Sequence, residues 1–352
     1  MKKINIGNGA ISASEIGLGC MRINALSKTD ASTLINTALD EGINFFDHAD
    51  IYGGGKSEEV FSDAVNMNPT TREKFILQTK CGIRDGYFDF SKEHILTAVD
   101  GSLKRLKTEY VDILLLHRPD TLMQPEEVAE ALSLLHSSGK VKYFGVSNQN
   151  PMQIELLNKY LHNKIVINQL QFSITNTGMI DSGLNVNMKN SSSIVHDGSI
   201  LEYCRLKDIN IQAWSPFQYG TFEGVFLDND KFPELNMKIN EVAATYGVTN
   251  TAIAIAWILR HPANIQPIVG TTNHKRLKDI CMASKVKLTR EEWYEIYRAA
   301  GNLLPWYSYI IAKRTWEIIY CLSGFFYLKS FNIKQYFDLC NYDIISICDK
   351  WT

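Results

Sequence analysis

Short apolar runs alternate with amphipathic stretches along most of the chain, and this alternation predicts its fold. The runs are rich in Ile, Val, Leu and Phe, which is typical of strands buried on both faces of a parallel sheet. The stretches between them carry apolar residues at helical spacing, as do Ile95, Val99, Leu103 and Leu106. Eight strands are predicted, at residues 16–20, 43–47, 75–80, 111–117, 143–148, 165–170, 209–214 and 265–270.

Eight strands that alternate with helices over about 300 residues favour an α/β fold of the (β/α)8 type, a TIM barrel, over an open sheet. Ahead of them, residues 3–13 form two alternating segments divided by Gly7-Asn8-Gly9, which predicts a β-hairpin. We therefore expect one barrel domain over residues 1–305. Residues 306–352 are aromatic and β-branched with weak helical spacing, and we interpret them as a C-terminal extension of unknown role.

Two regions interrupt the alternation. Residues 173–199 are rich in Asn, Ser and Gly, and a loop of this length in a compact domain is usually functional. We expect this segment to form a flap near the mouth of the barrel. Residues 217–232 are a second insertion, rich in aromatic side chains, that we also expect to shape the site.

Composition and charge exclude several classes of protein. The 352 residues are 45% hydrophobic and 21% charged, as in globular proteins, and the net charge of −2 argues against nucleic acid as an obligate partner. Neither an apolar signal core near the N-terminus nor an apolar run long enough to span a membrane is present. The seven cysteines show no metal-ligand spacing, which predicts reduced thiols in a cytoplasmic protein without a metal site.

Polar side chains stand where the predicted strands end. In a barrel of parallel strands, these ends share one face, and that face carries the active site. Tyr52 follows one such end closely and precedes three glycines. We expect the strand-end residues to surround one site: Asp47, Lys80, His117, Ser147, Asn148, Gln169, Trp214, Ser215, Gly270 and Thr271.

Four of these residues suit the delivery of a proton to a carbonyl group. Tyr52 is a useful general acid only if its pKa, ordinarily about 10, is brought closer to the working pH. The ammonium of Lys80 would stabilise the phenolate, and Asp47 would hold the lysine in place. His117 could donate a hydrogen bond to a carbonyl oxygen and polarise it.

Each of the four residues also has an ordinary structural interpretation. An aspartate after a strand is more often a cap or turn residue, and a tyrosine in such a loop is more often an anchor. A lone lysine or histidine at a strand end is more often structural or solvated. The functional interpretation therefore depends on the four complementary groups occurring together at neighbouring strand ends.

Several motifs resemble those of the aldo-keto reductase family. The flap sequence at residues 183–188, with residues 201–204, is similar to the bacterial oxidoreductase branch of that family. The resemblance covers about residues 1–305. Its motifs are Phe46–Gly53 (FDHADIYG), Thr79–Gly82 (TKCG), Leu115–Arg118 (LLHR), Gly145–Asn148 (GVSN), Asn168–Gln169 and Ala213–Pro216 (AWSP).

The resemblance implies a (β/α)8 barrel that binds NADP(H) across its mouth and reduces an aldehyde or ketone to an alcohol. By position in the motifs, Tyr52 would be the proton donor, Lys80 and Asp47 would tune it, and His117 would orient the carbonyl. The substrate would be a small molecule. Two departures from the family pattern are the segment 306–352 and His48, which stands where many relatives have a small hydroxyl residue.

The cofactor-binding residues are implied in the same way. Ser147, Asn148 and Gln169 match the contacts to the nicotinamide carboxamide, and Trp214, followed by Ser215, matches the aromatic residue that stacks on the ring. Without the family, Trp214 could equally be a core aromatic residue. The turn after the last strand resembles the loop that binds the adenosine 2′-phosphate, and its residues are Gly270, Thr271, Thr272, Lys275 and Arg276. The chain shows no Gly-x-Gly-x-x-Gly motif at a strand–helix junction, which argues against a Rossmann fold.

Two alternatives to a reductase stay open at this point. The barrel could bind NADPH tightly and act as a regulatory or redox-sensing protein with little turnover. The protein could also be structural and use residues 306–352 for assembly. The intact set of four polar residues favours the enzyme.

Overall fold

Eight short strands, buried along most of their length, close into a parallel barrel. We describe the chain from a computed structural model, which describes residues 1–7, 9–221 and 223–305. The strands are Lys3–Ile6 (β1), Ile11–Ser14 (β2), Gly17–Gly19 (β3), Phe45–Asp47 (β4), Ile76–Cys81 (β5), Val111–Leu116 (β6), Val141–Ser147 (β7), Ile167–Gln171 (β8), Asn210–Trp214 (β9), Gln218–Tyr219 (β10), Gly224–Val225 (β11) and Gln266–Val269 (β12).

The barrel runs from β3 through β9 in chain order and closes through β12, which pairs with both β9 and β3. Every pair in the ring is parallel, as Leu18 against Val269 and Asn168 against Ile211 illustrate. Each of the eight predicted strands has a counterpart in the ring. The prediction of a (β/α)8 barrel is therefore confirmed.

The predicted N-terminal hairpin is also present. Strands β1 and β2 pair antiparallel, with Lys3 opposite Ser14. Ile6, Ile11 and Ala13 of the hairpin pack against Phe45 and Ile167, the first residues of β4 and β8. The hairpin therefore covers the N-terminal end of the barrel, and the opposite end is left for the site.

Helices surround the barrel, and most begin at a polar cap. Ser91 accepts a hydrogen bond from His94 N, and Thr289 with Glu292 forms a capping box. The helices are Lys28–Asp40 (α1), Lys56–Ala64 (α2), Pro69–Arg72 (α3), Lys92–Leu106 (α4), Pro125–Ser137 (α5), Pro151–Tyr160 (α6), Gly178–Leu184 (α7), Ile200–Leu206 (α8), Pro233–Tyr246 (α9), Asn250–Leu259 (α10), His274–Cys281 (α11) and Arg290–Ala299 (α12).

Residues Met1–Asn302 form one compact unit. The expectation of a C-terminal extension at 306–352 lies outside the described residues. Within the described part of the chain, no single helix is long and apolar enough to cross a membrane. Helices α9 and α10, which meet at 91°, pass that test of length and composition only when taken together.

Candidate active site

The centre of the site is the ammonium of Lys80, which comes from β5 and is fully buried. Its Nζ donates hydrogen bonds to Asp47 Oδ2 at 2.8 Å, to the backbone oxygen of His48 at 2.8 Å and to Tyr52 Oη at 2.9 Å. The three partners occupy all three ammonium hydrogens. The structure therefore brings together Asp47, Tyr52 and Lys80, as the sequence predicts.

The loop that carries Tyr52 has an unusual backbone. Tyr52 begins a short 3₁₀ turn, Tyr52–Gly55, in which Gly53, Gly54 and Gly55 all have positive φ, of 59°, 63° and 91°. Residues other than glycine rarely adopt this region of backbone angles. The three glycines thus let the chain turn at once from the loop after β4 into α2.

Opposing effects act on the pKa of the Tyr52 hydroxyl. Burial raises its pKa above the ordinary value, the Lys80 ammonium lowers it, and the Asp47 carboxylate raises it again. Lys80 therefore acts on this pKa in the expected direction, but the net direction is upward. The physical reason is that desolvation outweighs the neighbouring ammonium. The phenol consequently holds its proton at neutral pH.

The charge on Lys80 is retained in spite of its burial. Burial alone would lower its pKa, but Asp47 and Tyr52 outweigh that effect and the pKa is raised. Lys80 is therefore an ammonium at neutral pH. Its Nζ also lies 4.8 Å from the centre of the Tyr52 ring, so the positive charge contacts both the hydroxyl and the π face.

His117 follows β6 and faces Tyr52, with 6.0 Å between the ring centres. Burial, with the charges of Lys80 and Arg118, lowers its pKa well below the ordinary value. The imidazole is therefore neutral at neutral pH and offers one N–H donor. A neutral donor of this kind can polarise a carbonyl oxygen without giving up a proton.

A cavity of about 910 Å³ opens above these residues at the carboxyl ends of the strands. This volume is at the upper end of the range for small-molecule sites. Most of the predicted site residues line it, namely Asp47, Tyr52, His117, Ser147, Gln169, Trp214, Ser215, Gly270, Thr271, Lys275 and Arg276. Lys80 lies beneath Asp47 and Tyr52, and the exposed Thr272 does not line the cavity.

Asn148 also does not line the cavity, because its side chain is engaged behind the wall. Its Nδ2 donates to Ser147 Oγ at 2.8 Å, and its Oδ1 accepts from Trp214 Nε1 at 3.3 Å. Ser147 in turn donates to the backbone oxygen of Gln169 at 3.0 Å. In this structure Asn148 holds Trp214 and Ser147, which do line the cavity.

The far end of the cavity is the turn into α11. Asn273 caps this helix by accepting hydrogen bonds from the backbone N–H groups of Lys275 at 2.9 Å and Arg276 at 3.1 Å. The side chains of Lys275 and Arg276 are exposed and line the cavity. Two cations at the start of a helix make this end suitable for an anion.

Sequence reasoning missed two arginines of the cavity. Arg22 donates through Nη2 to the backbone oxygen of Gly270 at 2.9 Å, so it supports the turn before α11. Arg118 directly follows His117, and its Cζ lies 5.3 Å from the centre of the Trp214 ring. The Leu115–Arg118 motif was a signal for Arg118, and Arg22 stands two residues after the end of the first predicted strand, 16–20.

The two insertions differ in their relation to the cavity. The predicted role of residues 217–232 is supported, because the hairpin β10–β11 and its neighbours Phe217, Leu227 and Asp228 contribute to the cavity wall. No residue of 173–199 does so. This segment follows β8 and forms α7 and a 3₁₀ turn, Ser191–Ser193, and Ser173 Oγ donates to the backbone oxygen of Gln218, a residue of the cavity wall, at 2.8 Å. Its role as a flap near the mouth stays a prediction.

His48, which directly follows Asp47, is fully buried. Both ring nitrogens are buried and have no hydrogen-bond partner among the described residues, and the ring packs edge-on against Phe61 at 4.7 Å. Burial and the nearby charge of Lys80 lower its pKa to about 3. His48 is thus a neutral packing residue, and its backbone oxygen is what contacts Lys80.

In enzymes with a closed parallel barrel, the active site lies at the carboxyl ends of the strands, where this cavity is found. The sequence model of the Aldo/keto reductase family matches residues 15–300. The chain is 38% identical over 296 residues to the uncharacterized oxidoreductase YcsN of Bacillus subtilis (strain 168). The alignment covers 80% of this chain and 92% of that protein. The chain therefore belongs to the aldo/keto reductase family and is an oxidoreductase.

Other relatives agree with this assignment. The chain is 34% identical over 300 residues to a 6-dehydroglucose reductase of Agrobacterium fabrum, which covers 82% of this chain and 94% of that protein. A solved structure of a thermostable aldo-keto reductase with the inhibitor epalrestat shares the fold, with a TM-score of 0.68 at 24% identity. That alignment covers 85% of this chain and all of the other, 100%. Family membership supports carbonyl reduction as the general reaction.

Proposed function

We propose that the protein reduces an aldehyde or ketone to an alcohol with NADPH as the hydride donor and Tyr52 as the proton donor. The observation that carries this proposal is the hydrogen bond of 2.9 Å between Lys80 Nζ and Tyr52 Oη at the floor of the cavity. A protonated phenol and an ammonium in contact can deliver a proton and then hold the resulting negative charge.

We assign each of the four residues a role that its contacts support. His117 holds the carbonyl oxygen through its N–H, and Tyr52 gives its proton to that oxygen. Lys80 stabilises the phenolate left on Tyr52, and Asp47 keeps Lys80 charged. The cofactor, when bound, supplies a hydride to the carbonyl carbon, so that the product is the alcohol and the oxidised cofactor.

The cavity wall contains groups that fit a nicotinamide dinucleotide. Near Tyr52, the amide of Gln169 and the ring of Trp214 line the wall, one polar and one flat aromatic surface. At the other end, Lys275 and Arg276 offer positive charge for a phosphate. We assign Ser147, Gln169, Trp214 and Ser215 to the nicotinamide half, with Asn148 holding Trp214. The residues assigned to the 2′-phosphate half are Gly270, Thr271, Thr272, Lys275 and Arg276.

The test is the oxidation of NADPH, followed by its absorbance, with a panel of aldehydes, ketones and dicarbonyls. The panel includes sugar aldehydes, because the relative from Agrobacterium fabrum is named for 6-dehydroglucose. Multiple turnovers with at least one carbonyl compound would support the reductase. Tight NADPH binding without turnover on the whole panel would contradict it and favour the regulatory or redox-sensing alternative.

A further inference from the structure

Four glutamine side chains lie inside the barrel, on four different strands. Gln78 is on β5, Gln169 on β8, Gln212 on β9 and Gln266 on β12, and at most 3% of any of them is exposed. The interior of a (β/α)8 barrel is usually filled by branched apolar side chains. A buried amide is costly unless it is hydrogen-bonded, so a set of four calls for an explanation.

The four amides form one continuous chain of hydrogen bonds that begins at Asp47. Gln78 Nε2 donates to Asp47 Oδ1 at 2.6 Å and to Gln212 Oε1 at 2.8 Å. Gln169 Nε2 donates to the same two oxygens, at 3.1 Å and 3.0 Å. Gln212 Nε2 then donates to Gln266 Oε1 at 2.9 Å. The chain ends where Gln266 Nε2 donates to the backbone oxygen of Ser14 at 2.7 Å.

The two ends of this chain fix the orientation of every amide. The carboxylate of Asp47 can only accept, so Gln78 and Gln169 must turn their NH₂ groups towards it. The backbone oxygen of Ser14 also can only accept, which fixes Gln266 in the same way. Gln212 must then accept with its oxygen and donate with its nitrogen. The arrangement has no flipped alternative that keeps all the bonds.

This orientation gives Asp47 its hydrogen-bond donors but leaves one amide oxygen in the core without a donor. Gln78 Oε1 is buried and has no hydrogen-bond partner among the described residues. A buried amide oxygen without a partner is uncommon and destabilising. The oxygen lacks a partner because the NH₂ group of Gln78 is turned towards Asp47 and Gln212.

These hydrogen bonds hold both oxygens of the Asp47 carboxylate in place. Two amide donors occupy Asp47 Oδ1, and Lys80 occupies Oδ2 at 2.8 Å. We propose that Gln78, supported by Gln212, is a positioning residue that holds the Asp47 carboxylate and thereby aims the Lys80 ammonium at Tyr52. Gln78 does not line the cavity, so it acts through Asp47 and contacts neither substrate nor cofactor. The inference rests on the proposed function.

The first experiment replaces Gln78 by methionine, which has a similar shape and no donor. We expect kcat for carbonyl reduction to fall about tenfold, the effect of losing one hydrogen bond to a charged group. KM and the Kd of NADPH should change little. Gln266→Met is the comparison variant, because Gln266 is equally buried and is bonded to Gln212 and Ser14 but not to Asp47, so kcat should fall clearly less than in Gln78→Met.

The second experiment replaces Gln78 by glutamate and measures kcat as a function of pH. The protonated glutamic acid can donate to Asp47 as the amide does, whereas the ionised form repels it. We expect kcat near that of the wild type at acid pH and a steep loss as the pH rises, an ionisation that the wild type lacks. Gln266→Glu places its carboxyl away from Asp47, so it should change the pH profile of kcat clearly less than Gln78→Glu does.

The outcomes separate the two proposals. A wild type that reduces no carbonyl compound would overturn the proposed function. An active wild type with unchanged kcat in Gln78→Met, or with Gln78 and Gln266 variants equally impaired, would overturn only the positioning role. Folding is checked by thermal unfolding. Failure of both Gln78 variants to fold would also overturn the role, since the amide would then be a requirement of the fold.

Discussion

Lys80 donates a hydrogen bond of 2.9 Å to the hydroxyl of Tyr52, which lies 28 residues earlier in the chain. Two neighbouring strands make this contact possible, since Tyr52 follows β4 and Lys80 is near the end of β5. Burial keeps the phenol protonated, whereas Asp47 and Tyr52 keep Lys80 charged in spite of its burial. A pair in these states suits the proposed transfer of a proton and the charge that it leaves behind.

The first prediction concerns the hydroxyl of Tyr52. Tyr52→Phe removes the proton donor and leaves the ring, so we expect kcat to fall by about 10²–10⁴-fold. The Kd of NADPH should stay nearly unchanged, because the phenol lies at the carbonyl end of the site. Steady-state assays and fluorescence titration with NADPH measure the two quantities.

Tyr87→Phe is the control for this change, because Tyr87 is 56% exposed and does not line the cavity. It should leave both kcat and the Kd of NADPH unchanged. A Tyr52→Phe variant with the rate of the wild type would remove Tyr52 from the mechanism.

The second prediction concerns the choice between NADPH and NADH. Arg276 stands in the first turn of α11 and lines the far end of the cavity. Arg276→Ala should weaken NADPH binding by about tenfold or more and leave NADH binding nearly unchanged, because only NADPH carries the 2′-phosphate. Titration of each variant with both cofactors gives the comparison.

Arg290→Ala is the matched control for this change. Arg290 is an exposed arginine in the first turn of another helix, α12, and it does not line the cavity. It should alter neither affinity. Equal weakening of NADPH and NADH by Arg276→Ala would contradict the assignment to the 2′-phosphate.

Much of the site could be predicted because the carboxyl ends of parallel strands all lie on one face of the barrel. Asp47, Lys80 and His117 are far apart in the sequence, but they stand at or near the ends of neighbouring strands of the ring. Apolar runs locate the strands, and the rule that their carboxyl ends share one face then brings the polar residues together. This inference needs no knowledge of side-chain conformation.

The remaining features depend on side-chain packing, which the sequence does not show. The raised pKa of Tyr52 comes from the amount of surface that the fold buries. The bonds of Gln78 and Gln212 depend on which side chains point into the barrel. A signal for them existed in the sequence, because each is a glutamine within an otherwise largely apolar strand. The path of residues 173–199 could not be predicted, because a lack of periodicity gives no direction to a loop.

The third prediction concerns Asp50 and the pH dependence of stability. Burial, with the nearby charge of Glu58, raises the pKa of this carboxyl from the ordinary 3.8 to about 7. Between pH about 4 and about 7 the folded state therefore retains a proton that the unfolded state releases. The free energy of unfolding should fall as the pH rises through that range, and Asp50→Asn should remove this loss.

We expect Asp50→Asn to be more stable than the wild type above pH about 7, by about 2–4 kcal/mol, and nearly equal to it at pH about 4. Urea unfolding at several pH values measures the difference. Asp63→Asn is the control of opposite sign, because a hydrogen bond from Lys107 lowers the pKa of Asp63. It should slightly destabilise the fold at neutral pH. An Asp50→Asn variant that parallels the wild type at every pH would disprove the prediction.

The fourth prediction concerns the buried carboxylate of Glu58 behind the site. Glu58 is completely buried and accepts hydrogen bonds from Arg105 Nε at 2.7 Å and from Thr79 Oγ1 at 2.7 Å. Arg105→Met leaves that charge without its cation, which should lower the free energy of unfolding by about 3–5 kcal/mol. The double variant Arg105→Met with Glu58→Gln should regain part of this loss, because no unpaired charge remains.

The matched control is the exposed pair of Lys56 and Glu59, whose ionic groups lie 3.1 Å apart. Lys56→Met should change the free energy of unfolding by no more than about 1 kcal/mol, since exposed ion pairs contribute little. Urea unfolding of the single and double variants closes the cycle. If Arg105→Met costs no more than Lys56→Met, solvent must reach Glu58 and screen its charge, and the carboxylate would not depend on Arg105.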